Sequence, residues 1–145
     1  MFKEGIMDKT MKDQLVAAAW KAREHSYSPY SRFKVGAAVL GTDGKIYTGA
    51  NIENMSYGAT ICAERCSLFT MVASGCPKYE GIAIATELNE DGAPCLACRQ
   101  VMTEFCASLD IPVLMATPGA GVFEHTLREI APLPCMPNSL PPDKK

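Results

Sequence analysis

Two short cysteine-containing segments constrain what this chain of 145 residues can fold into. The first is Cys62-Ala63-Glu64-Arg65, and the second is Pro94-Cys95-Leu96-Ala97-Cys98-Arg99-Gln100. Zinc is commonly held by four protein ligands when its role is structural, and by three ligands and a water when its role is catalytic. Three cysteines with a carboxylate that is not a ligand match the catalytic arrangement. The two segments therefore have to meet in the fold, with Glu64 beside the metal.

The cysteines of both segments stand where a helix is predicted to begin. The exposed N–H groups and the positive end of a helix dipole lower a thiol pKa, and the thiolate is the form that binds metal. An open position on zinc lowers the pKa of bound water, and Glu64 is the candidate to take that proton and deliver it. Three thiolates leave a zinc site with a formal charge of about -1, which the neighbouring Arg65 and Arg99 are expected to offset. We therefore predict three zinc ligands: Cys62, Cys95 and Cys98.

The spacing alone leaves two alternatives open, a structural zinc site and no metal at all. Cys66 follows Cys62 by one helical turn, so a Cys₄ site can be drawn from Cys62, Cys66, Cys95 and Cys98. Structural Cys₄ modules usually occur in small chains with a poor core. Because 48% of the residues are apolar, this chain can build a core without a metal, and the spacing favours catalytic zinc.

Composition argues against several classes of protein. A net charge of -2 with scattered basic residues gives no electrostatic basis for binding nucleic acid or an anionic membrane. No apolar run approaches the length of a membrane span, and residues 1–8 lack the apolar segment of a secretion signal. The odd number of cysteines, seven, argues against a complete disulfide set. We expect a cytoplasmic protein with reduced thiols.

The spacing of apolar residues predicts alternating helices and strands. Asp43-Gly44 is a hairpin turn between the first two strands, and the strands that flank the third helix should be parallel. The sequence predicts an α/β fold, a three-layer α/β/α sandwich with a mixed five-stranded sheet. We expect a single domain over residues 1–131 and a proline-rich C-terminal tail over residues 132–145. Helices are predicted over 11–23, 59–74, 95–108 and 126–130, and strands over 33–40, 45–50, 81–86, 112–116 and 122–124.

Four further segments accompany the two cysteine segments, namely Tyr27-Ser28-Pro29-Tyr30-Ser31, Phe33-Lys34-Val35-Gly36-Ala37-Ala38, Asn51-Ile52-Glu53-Asn54 and Ser56-Tyr57-Gly58. With these segments added, the chain resembles the cytidine deaminase family, in particular its small-subunit, homotetrameric members. The matching segments follow the family's order over about residues 12 to 116, and the ordered set is specific. The resemblance implies the cytidine deaminase-like fold, a zinc-dependent deaminase domain over 1–131 and a homotetramer.

The resemblance also implies roles for individual residues. Glu64 would shuttle protons, and Arg65 would hydrogen-bond the thiolates of Cys62, Cys95 and Cys98 around Zn²⁺. Taken singly, each substrate-contacting residue also fits an ordinary structural place, such as a core aromatic or an exposed loop tyrosine. Those residues would be Phe33 on the pyrimidine ring, Asn51 and Glu53 on the ribose hydroxyls, Ala63 through its backbone on the base, and Tyr57 at a neighbouring subunit's site.

Two positions depart from the family's pattern. Leu96 stands where the family usually has glycine, which bears on the shape of the second cysteine segment. The family's chain commonly ends in an aromatic residue that closes over the base. Here residues 130–136 hold no aromatic, and Phe123 is the last one in the chain. Because the closing aromatic is missing, we expect room beside the base and tolerance of substituents on the cytosine.

The sequence therefore predicts a zinc-dependent hydrolase of pyrimidine salvage. It would convert cytidine and 2′-deoxycytidine to uridine and 2′-deoxyuridine plus ammonia. One alternative substrate is a modified or larger aminopyrimidine nucleoside, such as a blasticidin-like antibiotic. A deaminase acting on polynucleotides is disfavoured because the chain has no basic groove. A non-catalytic structural zinc module is the alternative from another class.

Overall fold

The computed structural model describes residues 7–136. Most of residues 1–8, which were expected to lack a secretion signal, and the predicted tail beyond Met136 lie outside the described part. The order of elements follows the prediction. The helices are α1 Lys9–Arg23, α2 Ala63–Ala73, α3 Leu96–Phe105 and α4 Leu127–Ile130, and a short 3₁₀ turn spans Tyr57–Ala59. The strands are β1 Gly36–Gly41, β2 Ile46–Ala50, β3 Tyr79–Ala85, β4 Pro112–Thr117 and β5 Gly121–Thr126.

The five strands form one mixed sheet in the order β2-β1-β3-β4-β5. β1 pairs antiparallel with both β2 and β3, and β4 pairs antiparallel with β5. β3 and β4 are parallel and are joined through α3. The predicted hairpin is confirmed, with Gly44 at φ 81° in its turn. The predicted parallel pair is confirmed as well.

Helices cover both faces of the sheet, because alternate strand residues point to opposite sides. On one face α1 packs on a layer of small side chains, and on the other α2, α3 and α4 pack on larger ones. This arrangement is the predicted three-layer α/β/α sandwich. Strand residues beneath α1 are Ala38, Leu40, Ala83, Ala85, Leu114 and Ala116. Those on the opposite face are Ala37, Val39, Ile82, Ile84, Val113 and Met115.

Several element boundaries differ from the prediction, and for two helices a tertiary contact accounts for the difference. α2 begins at Ala63 rather than residue 59, because Ile52 and Ile61 exchange two backbone hydrogen bonds of 2.9 Å and keep that approach extended. α3 ends at Phe105 rather than residue 108, because Ala107 turns to donate to the Tyr79 carbonyl at 2.8 Å. β1 begins at Gly36 rather than residue 33, and β5 is longer than expected.

The fold places the starts of α2 and α3 around the carboxyl ends of β3 and β4. In sheets with parallel strands, this end is where ligands usually bind. Across residues 7–136, no helix combines the length and the apolar character needed to cross a bilayer.

Candidate active site

The three predicted metal ligands converge at the starts of two helices. Cys62 is the N-cap of α2 and Cys95 is the N-cap of α3, while Cys98 lies in the first turn of α3. Their sulfur atoms all lie within 4.8 Å of one another, and those of Cys62 and Cys95 are 3.8 Å apart. Cys66 does not belong to this group, the only metal-competent cluster found among residues 7–136.

The donor atoms of this cluster suit a zinc ion. Ligands held at about 2.3 Å in a tetrahedron lie about 3.8 Å apart, which matches the distance of 3.8 Å between the Cys62 and Cys95 sulfurs. A hydrogen bond from the Cys98 thiol lowers the pKa of Cys62 to about 5, and the Arg65 guanidinium acts in the same direction. The pKa of Cys98 is raised because it donates to Cys62 and is buried. One thiolate is therefore available at neutral pH.

Glu64 lies beside the cysteines with its carboxyl group buried. The Cys98 sulfur is 3.9 Å from Glu64 Oε2. Burial raises the pKa of Glu64 to about 7, and the negative charge of Cys62 contributes in the same direction. A carboxyl group with a pKa near neutrality can both accept and donate a proton at physiological pH.

The two arginines of the cysteine segments have different partners. Arg65 Nη2 donates to the Cys62 sulfur at 3.5 Å. Arg99 instead donates from Nε to the Pro94 carbonyl at 2.7 Å and from Nη1 to the Ile130 carbonyl at 2.8 Å. Of the two cations expected to offset the charge of the thiolates, Arg65 is thus the one bonded to a thiol sulfur.

A cavity of about 330 Å³ opens above the cysteines and Glu64. Ile84 and Met115, near the ends of the parallel strands, contribute apolar walls. Four of the five predicted substrate residues line it, namely Phe33, Asn51, Glu53 and Ala63. Tyr57 does not line it within this chain. Its side chain is 75% exposed and packs edge-on against Tyr30, with ring centroids 5.8 Å apart.

Asn51 braces the loop that carries Phe33. Its Nδ2 donates to the Phe33 carbonyl at 2.7 Å, while Oδ1 accepts from the Val35 amide at 2.9 Å and from the Ser26 hydroxyl. These three bonds leave one Nδ2 hydrogen of the amide for a ligand. Asn51 is therefore mainly a structural residue that presents one donor to the cavity.

Glu53 is held as a carboxylate at the mouth of the cavity. Oε1 accepts from the Tyr30 and Ser31 amides at 3.0 and 3.1 Å, and Oε2 accepts from the Ser31 hydroxyl. These hydrogen bonds, first of all the one from the Ser31 hydroxyl, lower the pKa of Glu53. One acceptor position on Oε2 stays free for a ligand hydroxyl.

Sequence reasoning missed Ser31 as a site residue. Ser31 lines the cavity and supplies two of the three hydrogen bonds to Glu53. The available signal was its place at the end of the Tyr27–Ser31 motif, but nothing in the spacing connects that motif to Glu53.

Comparisons with known proteins agree on one family. The family profile described as the cytidine and deoxycytidylate deaminase zinc-binding region matches residues 9–113. The cytidine deaminase of Sporosarcina psychrophila is 42% identical over 120 residues, covering 83% of this chain and 88% of its own. That of Halalkalibacterium halodurans is 44% identical over 126 residues, covering 87% and 92%. The crystal structure of the Burkholderia pseudomallei cytidine deaminase superposes with a TM-score of 0.81 at 39% identity, covering 89% and 100%.

Proposed function

The chain belongs to the family of cytidine and deoxycytidylate deaminases, and on that premise we propose that it hydrolyses cytidine and 2′-deoxycytidine to their uridine counterparts and ammonia. The observation that carries the proposal is the meeting of three cysteine sulfurs and the buried Glu64 carboxyl beneath one cavity. We place the enzyme in pyrimidine salvage in the cytoplasm, acting as a homotetramer.

We assign the three cysteines to a zinc ion and Glu64 to proton transfer. The zinc ion would be held by Cys62, Cys95 and Cys98, and it would supply an activated water for attack on the ring carbon that bears the amine. Glu64 takes a first proton from the water and delivers it to the ring nitrogen. It then takes the second proton from the hydroxyl formed on the ring carbon and delivers it to the amine, which leaves as ammonia as the carbonyl forms. A pKa of about 7 suits a group that performs both transfers.

The substrate contacts follow from what each residue still offers to a ligand. The remaining Nδ2 hydrogen of Asn51 and the free acceptor of Glu53 suit ribose hydroxyls. The ring of Phe33 suits the face of the pyrimidine, and the backbone of Ala63 at the start of α2 suits the polar edge of the base. We assign Arg65 to the thiolates and Tyr57 to the site of a neighbouring subunit.

The charge of the cavity favours nucleosides over nucleotides. The acidic groups that line it are Glu53 and Glu64, and no lysine or arginine among residues 7–136 lines it. A 5′-phosphate near the mouth would face the Glu53 carboxylate without a nearby lining cation. The same feature argues against a polynucleotide substrate, whose binding depends on basic grooves.

One observation supports the broader alternative, a modified or larger aminopyrimidine nucleoside. Phe33 is the one aromatic residue of the described part that lines the cavity. The base would therefore be stacked from one side by this chain, which leaves room for a substituent. Blasticidin-like compounds belong in the substrate panel for this reason.

The test combines metal analysis with a substrate panel. We expect one zinc per chain and loss of ultraviolet absorbance with cytidine and 2′-deoxycytidine, slower turnover of N4-substituted cytidines, and no turnover of cytidine 5′-monophosphate. Zinc without turnover of any nucleoside would favour the structural zinc module. Preferred turnover of a larger nucleoside would move the assignment to that substrate.

A further inference from the structure

The loop that carries Cys95 is held by Arg99, one helical turn further along α3. Arg99 is partly buried, and its Nε donates to the carbonyl of Pro94 at 2.7 Å. Its Nη1 donates at 2.8 Å to the carbonyl of Ile130, at the end of α4. Hydrogen bonds from a guanidinium to carbonyls are charge-assisted and among the stronger ones in proteins. Arg99 therefore links the residue before a predicted metal ligand to a second helix.

The bond to Pro94 restricts the backbone that carries Cys95. The ring of Pro94 fixes its φ angle, so rotation about ψ is the main freedom of the Pro94–Cys95 peptide plane. The carbonyl oxygen in that plane is the atom that Arg99 holds. Cys95 is exposed, whereas Cys98 is fully buried. Packing therefore holds the Cys98 side chain, whereas Cys95 is oriented by its backbone and by one hydrogen bond of 3.4 Å that its sulfur accepts from the Cys98 amide.

The second hydrogen bond of Arg99 goes to the end of α4. Ile130 is the last residue of α4, and a helix leaves its final carbonyls without intrahelical partners. Arg99 supplies the donor for this one. The next residue, Gln100, donates from Nε2 to the Cys135 carbonyl at 2.8 Å and accepts from the Cys135 amide at 3.4 Å. Residues 130–136 are thus attached to α3 directly after Cys98.

We propose that Arg99 is a positioning residue for the metal site, holding the Cys95 loop against the end of α4 so that the three sulfurs stay at ligand spacing. The proposal rests on the proposed function only in that the cysteines bind zinc. Arg99 touches neither the substrate cavity nor the Glu64 carboxyl, so its effect reaches the reaction through the geometry of Cys95.

The experiment measures zinc release from the full-length, zinc-loaded protein into excess chelating dye. Outer partners of metal ligands typically change metal affinity or activity by about 10- to 100-fold, and we expect Arg99→Met to release zinc faster by that factor. kcat should fall while KM for cytidine stays close to wild type, because the predicted ribose contacts are intact. Arg99→Lys, which keeps the cation but cannot span both carbonyls, should release zinc at an intermediate rate.

Arg128→Met is the matched control. Arg128 lies on α4 and pairs with Asp110 at the surface, so its loss should leave zinc release and kcat unchanged. If both Arg99 variants release zinc at the wild-type rate, even with a lower melting temperature, Arg99 has a purely structural role and the proposal is overturned. If Arg99→Met fails to fold, Arg99→Lys decides alone by the same comparison. A wild-type protein that binds no zinc would instead overturn the proposed function itself.

Discussion

At the scale of single residues, the cavity contains side chains suited to the reaction itself and side chains that orient other cavity residues through hydrogen bonds. We assign Glu64 to the first kind, because it is buried beside the cysteines and burial raises its pKa to about 7. Ser31 belongs to the second, because its hydroxyl and amide hold the Glu53 carboxylate toward the cavity. Changes in these two kinds of residue should appear in different kinetic parameters.

Replacing Glu64 with glutamine should abolish nearly all turnover while zinc and nucleoside binding persist. General acid–base groups contribute about 10²–10⁴-fold to a rate, and a group that makes several transfers should lie at or above the upper end. Initial rates with cytidine and the zinc content test this expectation. Glu104→Gln, on the exposed side of α3, is the control. Retention of a tenth of the wild-type rate would rule out this role for Glu64.

Replacing Ser31 with alanine should raise KM for cytidine severalfold and leave kcat near wild type. The substitution removes the hydroxyl donor to Glu53 but keeps both backbone donors. The carboxylate then stays in place but is less firmly oriented toward a ribose hydroxyl. Ser74→Ala, at the far end of α2, serves as the control. An equal fall in kcat would point to a disturbed metal site instead.

Replacing either Cys95 or Cys98 with alanine should remove zinc and activity together, whereas Cys66→Ala should retain both. The sulfurs of Cys62, Cys95 and Cys98 form the cluster, and Cys66 stands outside it. Metal content by elemental analysis and cytidine turnover provide the readouts. Loss of zinc from Cys66→Ala as readily as from the other two would favour the structural Cys₄ site.

The sequence predicted the chemical groups of the site better than it predicted their supports. The spacing of the cysteines and Glu64 pointed to one zinc-type site, because the ligand chemistry itself restricts which residues can serve. The partners of Ser31 and Arg99 depend on how loops distant in sequence approach each other. No local pattern encodes those approaches, so these supports became visible only in the fold.

At the scale of elements, the order and type of helices and strands were predictable, but some boundaries were not. Apolar spacing identifies which segments are buried, and this fixed the nine main elements in the described part. The start of α2 depends on the pairing of Ile52 with Ile61, and the end of α3 on a bond to Tyr79. Both boundaries are therefore set by tertiary contacts.

Replacing Gly49 in β2 with alanine should destabilise the protein by about 1–3 kcal/mol, the usual cost of overpacking. An added Cβ would lie 2.4 Å from the Ser67 amide nitrogen and 2.8 Å from the Cys66 backbone in α2. Because α2 carries Cys62 and Glu64 at its start, activity should fall as well. Gly58→Ala, where an added Cβ meets open space, is the control. Equal urea midpoints for the two variants would contradict a tight contact between β2 and α2.

At the scale of the whole molecule, several large side chains on the loops around Glu53 are exposed in the single chain. The exposed fractions are 55% for Tyr27, 48% for Tyr30, 76% for Met55 and 75% for Tyr57. We predict that subunit contacts cover part of this surface in a homotetramer of 15.6 kDa chains. Sedimentation should give about four times the chain mass, and Tyr57→Ala should lower activity. A fully active monomer would contradict both expectations.

The convergence of the cysteines also bears on how the unfolded chain competes for metal. The ligands come from segments roughly 35 residues apart, and closing a loop of that length in an unfolded chain costs about 4 kcal/mol of chain entropy. In the folded chain this loop is already closed before zinc binds. The native chain should therefore bind zinc roughly 10³-fold more tightly than the unfolded chain. A ligand that prefers the native state stabilises it in proportion to the logarithm of its free concentration. The melting temperature of the protein should therefore report the free zinc level around it.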